Sequence, residues 1–138
     1  MLLEQFKNYL VSKNIVYDTI NEEMIHFNTN ELDYVFQVDD RDKPYFRLIL
    51  PNLLEITDQN RTQIRNYIAI MNVEFKIGKI VEVEHSLWLT AEMFVFSPLG
   101  IDSLFERLID MLHEFYGRIR TDFQNINSTN NGRSQEEQ

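Results

Sequence analysis

The stretch from residue 15 to residue 50 does most to limit the folds open to this chain. It alternates short runs of β-branched and aromatic residues (IVYDTI, EMIHFN, LDYVFQV and YFRLIL) with clusters of turn formers. Such runs favour strands, because branched and flat side chains pack well on a pleated surface. The separators are Asn21-Glu22, Thr29-Asn30 and the segment Asp39-Asp40-Arg41-Asp42-Lys43-Pro44. Their short polar side chains and the fixed φ of proline suit turns. Connections this short cannot carry a chain back across a sheet to pair in parallel, so the runs are read as antiparallel neighbours in a meander. In LDYVFQV, Leu32, Tyr34, Phe36 and Val38 share one face, and Asp33, Val35 and Gln37 share the other.

Helical spacing flanks this block. Leu2, Leu3, Phe6, Tyr9 and Leu10 form one stripe over residues 2–13, with Asn14 suited to the left-handed stop. Ile64, Ile68, Met71 and Phe75 mark a second helix over 58–73, with Asp58 or Asn60 as N-cap and Gln63 placed to complete a box with Asn60. Two further strands, 75–83 and 87–95, surround the turn Glu84-His85-Ser86. The strongest helix covers 101–123, where Ile101, Phe105, Leu108, Leu112, Phe115 and Ile119 track one face and Glu114 and Arg118 form an i, i+4 pair. Residues 124–138 hold one apolar residue and no period, and are read as a disordered polar tail.

The order is therefore a helix, three or four strands, a helix, two strands and a helix, written α-β-β-β-α-β-β-α when the short first run is not counted. Strands grouped together, not alternating with helices, give an α+β fold: a single domain over 1–123, with three helices on a mostly antiparallel sheet of about five strands. The length of 138 residues and the apolar fraction of 43% suffice for one core without staples, and there is no cysteine to make a disulfide, a thiolate metal site or a thiol nucleophile. A formal charge of −9 opposes binding to nucleic acid or to an anionic membrane surface, both of which call for clustered Lys and Arg. No apolar run approaches the roughly 18 residues of a membrane span, and Glu4 interrupts what would be a signal-peptide core, so a cytoplasmic location is expected.

Motifs that would carry chemistry are incomplete. Gly78-Lys79 resembles the end of a phosphate loop, but Val73 stands where the first glycine is needed and Ile80 where Ser or Thr would hold magnesium. Asp39, Asp40 and Asp42 cluster as in a calcium loop, yet counting from Asp40 the sixth residue is Tyr45 and the twelfth Pro51, so a solvated hairpin is expected. His113-Glu114 opens like a zinc-helix motif, but Gly117 replaces the second histidine. No serine sits in a Gly-x-Ser-x-Gly elbow. Glu92 is expected on the solvated face of its strand. No cofactor, metal or catalytic residue is expected from these patterns.

The alternation in 87–95 sets Leu87, Leu89, Ala91, Met93 and Val95 on one face and Trp88, Thr90, Glu92 and Phe94 on the other. In 75–83, Ile80 stands opposite Phe75, Ile77, Val81 and Val83. If helices cover only one side of the sheet, Trp88, Phe94, Ile80 and Val35 are partly exposed and form a partner-binding patch. If the long C-terminal helix or a loop reaches them, they are core. The pattern leaves both accounts open.

The second half of the chain, IRNYIAIMNVEFKIGKIVEVEHSLWLTAEMFV, and the meander FNTNELDYVFQVDDRDKPYFRLILPNL resemble the YbjN family, which shares the type III secretion chaperone-like fold. The likeness covers roughly residues 1–123. It implies an α+β domain, often a homodimer, and a bacterial role that is chaperone-like or regulatory in stress or sensory responses. It carries over no catalytic residues. The expected function is a non-enzymatic protein-binding module, chaperone-like or adaptor. The alternative is a regulatory module acting through dimerisation or a small ligand.

Overall fold

A computed structural model describes the backbone of residues 2–136 and the side chains of residues 2–124. The elements are α1 (Leu2–Ser12), β1 (Tyr17–Thr19), β2 (Met24–Thr29), β3 (Leu32–Asp39), β4 (Asp42–Glu55), α2 (Arg61–Glu74), β5 (Gly78–Val83), β6 (Ser86–Phe94) and α3 (Ile101–Glu136). All strands pair antiparallel in one sheet of order β1-β2-β3-β4-β6-β5. This is the α+β architecture expected. The sheet has six strands, not about five, because IVYDTI supplies a three-residue edge strand.

Local signals explain most boundaries. Asn14 takes φ 60° and stops α1. Asn30 and Glu31, at φ 53° and 66°, make the two-residue turn between β2 and β3, with the left-handed twist that suits a tight hairpin. β4 is long because it changes register between Leu50 and Leu54, where Asn52 sits at φ 56°. Asn60 does precede α2, but no capping box forms. Its Oδ1 accepts from the Thr57 amide at 2.7 Å and its Nδ2 donates to the Glu55 carbonyl at 3.0 Å, so the side chain is spent on the preceding turn. Arg118 pairs not with Glu114 but with Glu74 of α2 at 2.7 Å. Helical backbone continues through 124–136, where an irregular tail was expected. No proline interrupts that segment, and an established helix extends at little cost per residue. Residues 137 and 138 lie outside the described residues.

The helices gather on one face of the sheet. Phe6 of α1 stacks on Phe36 at 3.9 Å and tilts against Phe27 at 5.2 Å. Phe105 of α3 meets Phe6, Phe36 and Phe46 edge-on at 4.8, 5.8 and 5.8 Å. All five rings are buried. Pairs of this geometry add about 0.5–1.5 kcal/mol each beyond burial. The Tyr34 hydroxyl reaches the Ile109 carbonyl at 3.4 Å, and burial pushes that phenol well above its ordinary range. Burial, with Glu106 nearby, raises Tyr9 to about 12.

α2 closes the β5 edge of the sheet. Asn72 Oδ1 accepts from the Ile80 amide at 2.7 Å and its Nδ2 donates to the Ile80 carbonyl at 2.9 Å, as a neighbouring strand would. Lys79 Nζ turns back to donate to the Asn72 and Phe75 carbonyls at 2.8 and 2.9 Å, satisfying the carbonyl end of α2. Gly78 lies directly under α3: a Cβ there would be 3.0 Å from the Phe115 ring, which is itself stacked on Phe75 at 4.1 Å. The Gly78-Lys79 pair therefore has two structural duties, close helix packing and helix capping, and no phosphate geometry.

Candidate functional site: the open face of the sheet

Strand alternation sends Phe36, Phe46, Leu48, Leu50, Leu89 and Ala91 under the helices. Their sequence neighbours form the opposite face, which lies outside the hydrophobic core that the helices share. Along the rungs of that face, Val35 pairs with Ile49 and Ile49 with Thr90, Arg47 pairs with Glu92, and Tyr45 pairs with Phe94. Trp88 stands beside Val81 of β5.

The middle of this face is partly dry. Ile49 is only 4% exposed although it points away from the helical core, so its shielding comes from neighbours on the same face. Val35 and Trp88 are half-buried. The Trp88 indole nitrogen is itself buried and has no hydrogen-bond partner among the described residues.

The end of the face near the β3–β4 hairpin is different. Phe94 is 54% exposed, Phe96 85% and Leu99 89%. The Tyr45 and Phe94 rings lie 5.7 Å apart, and Phe94 and Phe96 stack at 6.1 Å, so three aromatic rings make a ledge open to solvent. Charged groups hold the ledge in place. The Tyr45 hydroxyl donates to Glu92 Oε2, and Arg47 donates to the same oxygen from Nη2 at 3.1 Å and Nε at 3.3 Å. The Tyr45 hydrogen bond, with Arg47 second, holds the Glu92 carboxyl below its ordinary range. Burial, with the bond to Glu92, raises Tyr45. Beside the ledge is a cleft of about 470 Å³, bordered by Glu23, Gln37, Asp42, Tyr45, Arg47 and Phe94.

Three of the residues picked from sequence, Val35, Trp88 and Phe94, share this face. Ile80 does not: it is fully buried on the helical side. The expected alternation fails at Ile77, which takes φ 65°, so the strand begins at Gly78 and sends Gly78 and Ile80 inward and Lys79 and Val81 outward. Val81 occupies the place expected for Ile80. Glu92 lies on the solvated face, as its alternation indicated. The sequence reading missed Tyr45, Arg47, Phe96 and Leu99. Tyr45 and Arg47 follow from the alternation of YFRLIL once Phe46 and Leu48 are assigned to the core, and FSPLG signals a loop displaying apolar side chains.

In the acidic hairpin, Asp39 accepts from the Arg41 amide at 2.9 Å and from its guanidinium, and the amide bond chiefly lowers its carboxyl. Among the described residues no three His, Cys, Asp or Glu side chains converge as a metal site, and no helix is long and apolar enough to cross a membrane.

No family model matches the chain, and no curated protein matches it. Among solved structures it is similar to the crystal structure of YbjN from E. coli, which is described as a candidate transcription regulator. The TM-score is 0.62 at 8% identity, over 83% of this chain and 85% of that one. The fold is YbjN-like. At that identity the likeness is one of architecture. On this chain the aromatic ledge lies on the sheet face opposite the helical core.

Proposed function

We propose that the chain is a non-enzymatic protein-binding module, chaperone-like or adaptor, that holds a segment of another protein on the open sheet face. The observation that supports this most is the ledge of Tyr45, Phe94 and Phe96. Stacked rings left open to water give up solvation energy when covered, at roughly 25 cal/mol per Å² of apolar surface. Aromatic anchors of this kind dominate interface energetics. Because Glu92 and Arg47 fix Tyr45, the ledge is ordered before a partner arrives, which lowers the entropic cost of association. The test is affinity capture with the parent chain and with Phe94→Asp as paired baits. The reading expects a protein recovered by the parent and lost by the variant. Identical recovery by both baits contradicts it.

A second reading is a regulatory module that senses a small ligand. Support comes from the 470 Å³ cleft and from the description of the E. coli protein of like fold. It expects a metabolite that raises the melting temperature of the parent chain, since a ligand bound only to the native state stabilises it. A shift that survives Arg47→Ala and Phe94→Ala would place the ligand elsewhere.

A further inference from the structure

We infer that an extended cationic segment with an apolar anchor binds around the β3–β4 hairpin end of the sheet, from the ledge on the open face to the first turns of α1 and α3 on the helical side. This rests on the protein-binding reading above and adds the chemistry of the partner.

Shape gives the first argument. Three depressions adjoin one another at this end of the molecule, of about 470, 250 and 230 Å³. The first and second share Val38 and Asp39, and the second and third share Leu2 and Lys43. A run of linked depressions fits several residues of extended chain better than a compact ligand. The second depression reaches Leu2, Leu3 and Glu4 of α1, and the third, behind Phe96, is walled by Leu2, Pro44, Val95, Pro98 and Ile101, so it suits an apolar anchor.

Charge gives the second argument. Asp39 is engaged by Arg41, and Glu92 by Arg47. Glu22, Glu23, Asp40 and Asp42 line the first two depressions and form no ion pair among the described residues, with Lys43 the single basic side chain beside them that is likewise unpaired. Four like charges beside an apolar ledge repel one another in the isolated chain. Lys or Arg side chains relieve that repulsion, and the exposed rings can take a cation on their faces. An anionic segment or an anionic membrane would meet the same carboxylates as repulsion.

The test uses the full chain and a fluorescent synthetic peptide, Phe-Leu-Ser-Lys-Ser-Lys-Ser-Lys, against the same peptide with Glu for each Lys. Anisotropy is read at low and at high salt. The inference expects the Lys peptide to bind at least tenfold tighter than the Glu peptide. Phe94→Ser is expected to weaken the Lys peptide at least tenfold. The double variant Glu23→Gln/Asp42→Asn is expected to weaken it several-fold and to flatten its salt dependence. Glu114→Gln, on α3 behind the sheet, leaves it unchanged. Melting curves of each variant show that the fold is kept. If Glu114→Gln acts as strongly as the double variant, the attraction is diffuse net charge and the inference fails. If both peptides bind alike and both need Phe94, the sheet-face reading stands and the cationic chemistry is wrong. If neither peptide binds, the inference is overturned; if binding occurs but ignores Phe94, the sheet-face reading falls with it.

Discussion

The two faces of the sheet are made from the same strands, yet they solve opposite problems. On the helical face Phe6, Phe27, Phe36, Phe46 and Phe105 interlock as buried rings with no charge among them. On the open face Tyr45, Phe94 and Phe96 are also in ring contact, but the two phenylalanines stay wet and Tyr45 is tethered to Glu92, which Arg47 also holds. Aromatic clustering alone therefore does not distinguish core from surface. What distinguishes them is whether a helix supplies the opposing layer. Where α1 and α3 do, the rings stabilise the fold. Where none of the described elements does, the rings stay open to solvent.

Substitution of one ring on each face breaks this comparison most directly. Phe36→Ala should cost about 3–5 kcal/mol, because it opens a cavity among packed rings. Phe94→Ala should change stability by less than about 0.5 kcal/mol, as expected for an exposed side chain, while abolishing partner capture. Urea denaturation of both variants measures the contrast, and comparable losses would mean that the open face is core. Gly78→Val should come next, costing about 1–3 kcal/mol by overpacking, since Phe115 is held by its stack on Phe75 and has little room to yield. A neutral result in the same denaturation assay would show that α3 does not lie tightly on β5. Asn72→Ala should cost about 1–3 kcal/mol by leaving the Ile80 amide and carbonyl unpartnered. It also bares a sheet edge, so light scattering should detect concentration-dependent association absent from the parent.

The smallest effect concerns the tether. Glu92 has a carboxyl held below its ordinary 4.5, so its contribution is present above that value and is lost as pH falls through the lowered one. The pair is largely exposed, and about 0.2–1 kcal/mol is at stake. Parent and Glu92→Gln should differ slightly in melting temperature at pH 7 and converge as the pH falls from 4.5 through the lowered value. A constant offset across that range would deny the tether any titratable role.

Period-2 alternation made β3 and β6 readable, down to which face Phe36, Val35, Leu89 and Trp88 occupy. Asn14 as a helix stop was equally legible, because left-handed φ suits asparagine. The inversion at Ile80 was not, since it depends on a positive φ at Ile77, a β-branched residue that sequence gives no reason to place there. The partner of Asn72 was hidden for a related reason: an Asn near a helix end reads as a stop signal, and only the docking of α2 on β5 shows it completing a sheet edge. Phe96 and Leu99 escaped because a loop between a strand and a helix carries no period from which exposure could be read, whereas Tyr45 lies in β4 and becomes readable only once Phe46 and Leu48 are assigned to the core.

The central claim is that the open face is the binding face. The direct measurement is photo-crosslinking in cells with benzoylphenylalanine placed once at Phe96, on the ledge, and once at Val11, an exposed position in the helical layer. The account predicts a discrete adduct to another protein from position 96 that disappears when Phe94→Asp is added, and no such adduct from position 11. Adducts from position 11 and none from position 96 would contradict it.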